Sequence, residues 1–162
     1  MNQRFAIGFG VGLVVLALGT WWAVVDSRGN HLDPKGKIGK VRTLQVDDNA
    51  TIVVIDFKVT NDADVPMTIR TIDTSMTVPE NGPGDGNMLA ASDLAKVFRS
   101  YPDIGDQYNP PLRPRDEIKG HTVVDRMVGM SFNLPKAKVD ARTDLVLRLE
   151  ESSGPVLELH EK

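Results

Sequence analysis

The run TIVVIDFKV, Thr51 to Val59, decides the fold. It is dense in β-branched residues and has the period-2 pattern of a strand. Val53, Ile55, Phe57 and Val59 fall on one face, while Asp56 and Lys58 fall on the other. Just upstream, Val41 to Val46 alternates apolar and polar residues, and Asp47-Asp48-Asn49 is a turn signal. Just downstream, Asn61-Asp62-Ala63-Asp64 turns again and Pro66 leads into a third strand over Met67 to Val78. Within it Met67, Ile69 and Thr71 share one parity, and Ile72, Thr74 and Met76 share the other. That change of phase predicts a bulge near Thr71. Read in order, the three strands form a meander.

Further along, Glu80 to Asn87 (ENGPGDGN) is rich in glycine and has no apolar residue, so it reads as a surface loop. Its carboxylates do not follow the ligand spacing of an EF-hand. A helix follows, with Ser92 as N-cap, Asp93 in the first turn and Pro102 as the stop. Its stripe of Leu94, Val97, Phe98 and Tyr101 is expected to close one end of the β core. Tyr108 to Arg115 (YNPPLRPR) is stiff and cationic. The favoured reading is a crossover loop pinned to its own domain. The second is a partner-binding loop presenting Tyr108, Pro111, Arg113 and Arg115, with Pro111-x-x-Pro114 in a polyproline groove. Strands resume at His121 to Phe132, Asp144 to Leu149 and Val156 to His160, the last two as a hairpin about Ser152 to Pro155.

Six or seven strands, frequent turns and one short helix over residues 40–162 describe a mainly β domain, an antiparallel β-sandwich, with room for a single core. Ile55-x-Phe57-x-Val59-x-Asn61, followed by Val65-Pro66-Met67-x-Ile69-x-x-Ile72, resembles a pattern in certain immunoglobulin-like sandwiches. It is similar to the water-stress domain of late-embryogenesis-abundant proteins and to small bacterial extracytoplasmic sandwiches tethered by one N-terminal helix. Ile118-Lys119-Gly120 and Phe132-Asn133-Leu134-Pro135 also fit the bacterial type, although Lys119 replaces an expected proline. The resemblance implies an immunoglobulin-like fold and a non-enzymatic role in binding or in the envelope. It carries over no site residues.

Before the domain, Phe5 to Val25 (FAIGFGVGLVVLALGTWWAVV) holds no charged residue. As a helix it spans about 31 Å, close to the ~30 Å hydrocarbon core of a bilayer. Ala17-Leu18-Gly19 offers a signal-peptide cleavage site. The apolar run, however, continues past it and ends near the Trp21-Trp22 pair, which suits a retained single-pass anchor with an aromatic belt. Arg28, Lys35, Lys37, Lys40 and Arg42 after the span favour a cytoplasmic domain. The four-residue start before it favours an extracytoplasmic one, which is the expected side. Gly8, Gly12 and Gly19 lie within about 40° of one another on a helix, a candidate face for a homodimer. Asp26 to Gly39 reads as a flexible juxtamembrane linker, and its GKIGK run fails as a phosphate loop because Pro34 stands where a glycine is required.

The chemistry is sparse. There is no cysteine, so disulfides and thiol catalysis are out. His31, His121 and His160 fall in no zinc-binding spacing, and no serine sits in a nucleophile elbow. No catalytic residue, metal or cofactor is expected. With 19 Lys and Arg against 22 Asp and Glu, no nucleic-acid partner is expected either. Asn49-Ala50-Thr51 is a glycosylation sequon where the compartment permits. The expected partners are the lipid bilayer and a protein partner or second copy. The expected role is binding or scaffolding at the cell envelope. The alternative is an envelope-facing accessory domain that processes a small ligand.

Overall fold

The computed structural model describes residues 12–22 and 33–161. Residues 12–22 are helical (α1). Gly8, the two ends of the expected span and residues 26–32 of the expected tether lie outside the described residues. Among the described residues, no helix is long and apolar enough to cross a membrane.

The rest is built on two antiparallel sheets. The first contains β1 (Lys35–Asp47), β2 (Ala50–Asn61), β7 (Thr122–Phe132) and β5 (Asn87–Met88), in the order β1-β2-β7-β5. The second contains β4 (Gly82–Asp85), β3 (Met67–Val78), β8 (Asp144–Glu151) and β9 (Val156–His160), in the order β4-β3-β8-β9, and β6 (Glu117–Ile118) pairs with the start of β3. Two short helices, α2 (Ala91–Ser100) and α3 (Lys136–Asp140), and a 3-10 turn at Pro102–Ile104 complete it.

The inward faces of both sheets share one core. Val53, Ile55, Phe57 and Val59 of β2 pack with Val128, Met130 and Phe132 of β7 on one side. Met67, Ile69, Ile72 and Met76 of β3 and Leu145, Leu147 and Leu149 of β8 supply the other. The expected parity of β2 is borne out. So is the expected change of phase in β3, where the register with β8 shifts between Ile69 and Thr71.

Several expectations are corrected. The first three strands are not a meander, because β2 and β3 belong to different sheets. Asn61 marks the corner. Its fully buried side-chain amide donates to the carbonyls of Val65, Ile118 and Lys119, and its Oδ1 accepts from the Ala63 N–H at 3.2 Å. These bonds satisfy backbone groups that a change of sheet leaves unpaired. Residues 80–87 are not a plain loop. Gly82–Asp85 pairs with the end of β3, and Asn87 crosses to pair with Ser131 of β7. Gly86 permits that crossing, since a Cβ there would lie 2.6 Å from the Phe132 ring. Lys35–Gly39, expected as the end of the tether, is already strand, so the domain starts at Lys35 rather than residue 40. The N-cap of α2 is Ala90 rather than Ser92, with no side-chain capping bond.

Finally, α2 does not close an end of the core. Leu94 and Val97 pack with Ile52, Val54, Ile104 and Met127 as a second apolar cluster on the outer face of the first sheet. Gly129 of β7 makes room for it, because a Cβ there would lie 2.7 Å from Leu94 Cδ1. The unbroken apolar run Ile52 to Ile55 follows from this, since β2 is buried on both faces.

Candidate ligand-binding cleft

The outer face of the first sheet is covered by α2 over only part of its length. At the boundary lies a polar network, and beyond it an open cleft.

The cleft begins with a bulge. Ile38 pairs with Phe57 and Lys40 with Asp56, leaving Gly39 as the extra residue. Ile38 and Val41 both pack against the main core although they are three residues apart, which a regular strand forbids. The bulge resets the phase and sets Lys37 and Lys40 close together along the ladder, with only the Ile38–Phe57 row between them. Lys37 is directly opposite Lys58, which is opposite Asp125, and Lys40 is opposite Asp56.

The second wall is the crossover from α2 to the second sheet. Gly105, at φ 84°, turns the chain in a conformation that favours glycine. The carbonyls of Ile104 and Asp106 on either side of it accept from Arg42 Nη1 at 3.1 and 2.8 Å. The segment then runs alongside β7. The Leu112 N–H donates to the Met127 carbonyl at 2.8 Å and the Met127 N–H to that of Pro110 at 3.1 Å, with Pro111 bridging Met127 in parallel. Leu112 is buried in the main core, and the Arg115 N–H donates to the Ile69 carbonyl at 2.7 Å as the chain enters the second sheet.

Arg42 and Asp56 hold the two walls together. Their side chains are 7% and 8% exposed, with Arg42 Nη2 donating to Asp56 Oδ2 at 2.7 Å. Asp56 Oδ1 accepts from Asn109 Nδ2 at 2.9 Å. The guanidinium stacks 5.1 Å from the Phe98 ring centroid and 5.4 Å from that of Tyr108. Two buried charges survive out of water only with a nearly complete set of partners, and here Arg42 Nε alone lacks one. Tyr108 thereby rests against the buried pair while remaining 62% exposed, and Lys40 Nζ also lies 5.4 Å from its ring centroid.

The resulting open cleft has a volume of about 260 Å³ and is lined by Lys37, Gly39, Lys40, Asp56, Phe57, Lys58, Tyr108, Asn109 and Asp125. Asp125 is within 3.5 Å of Lys58 and Asp56 is engaged by Arg42. Among the described residues, Lys37 and Lys40 have no ion-pair partner.

Of the residues expected to form a partner-binding loop, the structure brings only Tyr108 into the cleft. Pro111 is pinned to β7, and Arg113 and Arg115 are exposed on the later part of the crossover, Arg115 with φ 74°. A Cβ at Gly12 or Gly19 of α1 would meet nothing within 4 Å, and Gly8 lies outside the described residues. Lys37, Lys40, Lys58 and the Arg42–Asp56 pair were not expected at a site. The signals for them were the three-residue spacing of Ile38 and Val41 about Gly39, and a carboxylate in the middle of the most apolar run.

Elsewhere, two carboxyls are held below their ordinary values by their hydrogen-bond donors. Burial pushes the Glu151 carboxyl pKa up, but donors from the Ser153 hydroxyl and from backbone N–H groups outweigh it and hold the group below its ordinary value. Burial likewise raises Asp140, and hydrogen bonds from Lys136 and Thr43 bring it down overall. His121 contacts Asp64 at 2.7 Å on the surface. Among the described residues, no three His, Cys, Asp or Glu side chains are grouped to hold a metal. No protein-family model matches the chain, and no curated protein matches it.

Proposed function

We propose that this chain is a single-pass membrane-anchored, immunoglobulin-like β-sandwich with a non-enzymatic binding or scaffolding role at the cell envelope, and that the cleft between the β1 bulge and Tyr108 is its binding site. The observation that carries this reading is Tyr108, an exposed aromatic ring stacked on a buried ion pair in a cleft that also holds Lys37, Lys40 and Lys58. Stacking such a ring in advance lowers the ordering cost of binding. The anchor is supported by the uncharged run Phe5 to Val25 and by the exposure of the large apolar side chains of α1, from 53% at Leu13 to 75% at Trp22. The resemblance around Asn61 points the same way, since the asparagine that ends β2 is the residue that fastens the corner between sheets.

Alkaline carbonate extraction of cells making the full chain tests the anchor. The protein is expected in the membrane pellet with Met1 to Val25 retained. Release into the supernatant, or a mature start near Thr20, overturns it. Crosslinking in intact membranes tests the site. A partner adduct is expected to be lost in Tyr108→Ala, and an unchanged adduct refutes the assignment to the cleft. A reporter active only outside the membrane, fused after Lys162, is expected to be active.

A further inference from the structure

The charge arrangement of the cleft narrows what it binds. Lys37 and Lys58 stand directly opposite each other on neighbouring strands, and Lys40 follows just past the bulge. Like charges at opposed positions of a sheet repel, and Asp125 offsets only one of the three cations. The arrangement is relieved by an anion placed among the ammonium groups. Arg42, whose guanidinium would suit a bidentate carboxylate, is unavailable because its terminal nitrogens are already bonded to Asp56, Ile104 and Asp106. Lysines act instead as compact point charges, each with several donors, which suits a group with several acceptor oxygens and more than one negative charge. The cavity, at about 260 Å³, is just below the ~300 Å³ lower end of small-molecule pockets. It holds more than an oxyanion, and the Tyr108 ring offers a flat surface for the remainder.

We propose that the cleft binds a phosphate monoester carried on a small flat or apolar body, the phosphate seated among Lys37, Lys40 and Lys58 and the body against Tyr108. This rests on the reading of the cleft as the binding site. The same chemistry is offered by a soluble organophosphate and by an anionic lipid headgroup. Lys37 is twelve residues beyond Val25, within about 40 Å of chain, so both sources are within reach.

The test uses the full chain in nanodiscs of purely zwitterionic lipid, titrated with phenyl phosphate and followed through the backbone amides of Gly39, Lys40 and Tyr108. Saturable shifts confined to these amides are expected, with affinity falling at least tenfold in Lys37→Glu and Lys40→Glu, whose exposed side chains leave the remaining spectrum unchanged. Phenol is expected to give no saturable shift. Absence of saturation with phenyl phosphate, equal binding of phenol, or indifference to both lysine variants overturns the proposal. A second arm places phosphatidic acid in the nanodisc. The same amide shifts without added ligand identify the headgroup as occupant, and shifts seen only with phenyl phosphate identify a soluble one. Failure of the titration with the Tyr108-dependent crosslink intact removes the phosphate and leaves the binding module. Loss of that crosslink with the titration intact removes only the protein partner.

Discussion

The two sheets bury equivalent inner faces and treat their outer faces in opposite ways. The first sheet is covered by α2 and the crossover, which bury Ile52, Val54 and Met127 and enclose Arg42 and Asp56. The second leaves its outer face to water, where Asp73, Ser75, Arg148, Glu150 and Glu158 line a broad polar depression of about 410 Å³ with Asp85. The same contrast holds for the two carboxylates that are buried among the described residues. Asp56 is balanced by a guanidinium, whereas Glu151, 4% exposed, is held by Ser153 and by the Thr68 N–H beside the β3 bulge. A buried ion pair is thus found where a second layer excludes water. On the second sheet the charges pair at the surface, Arg70 with Glu150 at 2.5 Å and Arg148 with Glu158 at 3.8 Å. On the first they position an aromatic ring.

The contrast can be broken most forcefully at Arg42. Arg42→Ala leaves Asp56 buried without its countercharge and is expected to cost about 3–5 kcal/mol in urea denaturation. The double variant Arg42→Met with Asp56→Leu is expected to recover most of that loss while abolishing ordered packing of Tyr108, read from its ring resonances. Leu94→Ala, which uncovers the outer face of the first sheet, is expected to cost about 3 kcal/mol. Glu151→Gln is expected to cost about 1–2 kcal/mol at neutral pH. Because the folded pKa of Glu151 is lowered, its stabilisation is fully present above the unfolded pKa and is lost as pH falls through the folded value. The wild-type advantage over Glu151→Gln should therefore shrink on acidification below the ordinary glutamate range. A constant difference would place the effect elsewhere. At the bottom of the scale, Arg148→Ala removes a 3.8 Å surface contact with Glu158 and is expected to change stability by less than about 0.5 kcal/mol.

The inner faces were legible in the sequence because one buried face imposes a period of two, as in β2, and because a phase change such as that at Ile69 to Thr71 has few causes. The hairpin of β8 and β9 was legible for the same reason, with Ser152 to Pro155 as its turn. What escaped was set by tertiary partners. Asn61 looks like any polar turn residue, and only the carbonyls it gathers from Val65, Ile118 and Lys119 show that the chain changes sheet there. The glycines of residues 82–86 look like a loop because edge pairing uses backbone alone, with no side-chain pattern to reveal it. The helix stripe of Leu94 and Val97 was readable as apolar, but its target, the outer face over Gly129, lies in a strand distant in sequence. The cleft was half readable. Tyr108 stands out within a cationic loop, whereas Lys37 and Lys40 read as a tether and its boundary because a glycine bulge resembles a linker.

The most direct test compares the two outer faces in one experiment. A photoreactive phenylalanine analogue is placed at position 108 in the cleft or at position 73 on the second sheet, in the full chain, and irradiated in intact membranes. The expected result is a discrete adduct, to lipid or to protein, from position 108 and none above background from position 73. Adducts of equal yield from both faces, or from position 73 alone, would contradict a binding site on the first sheet.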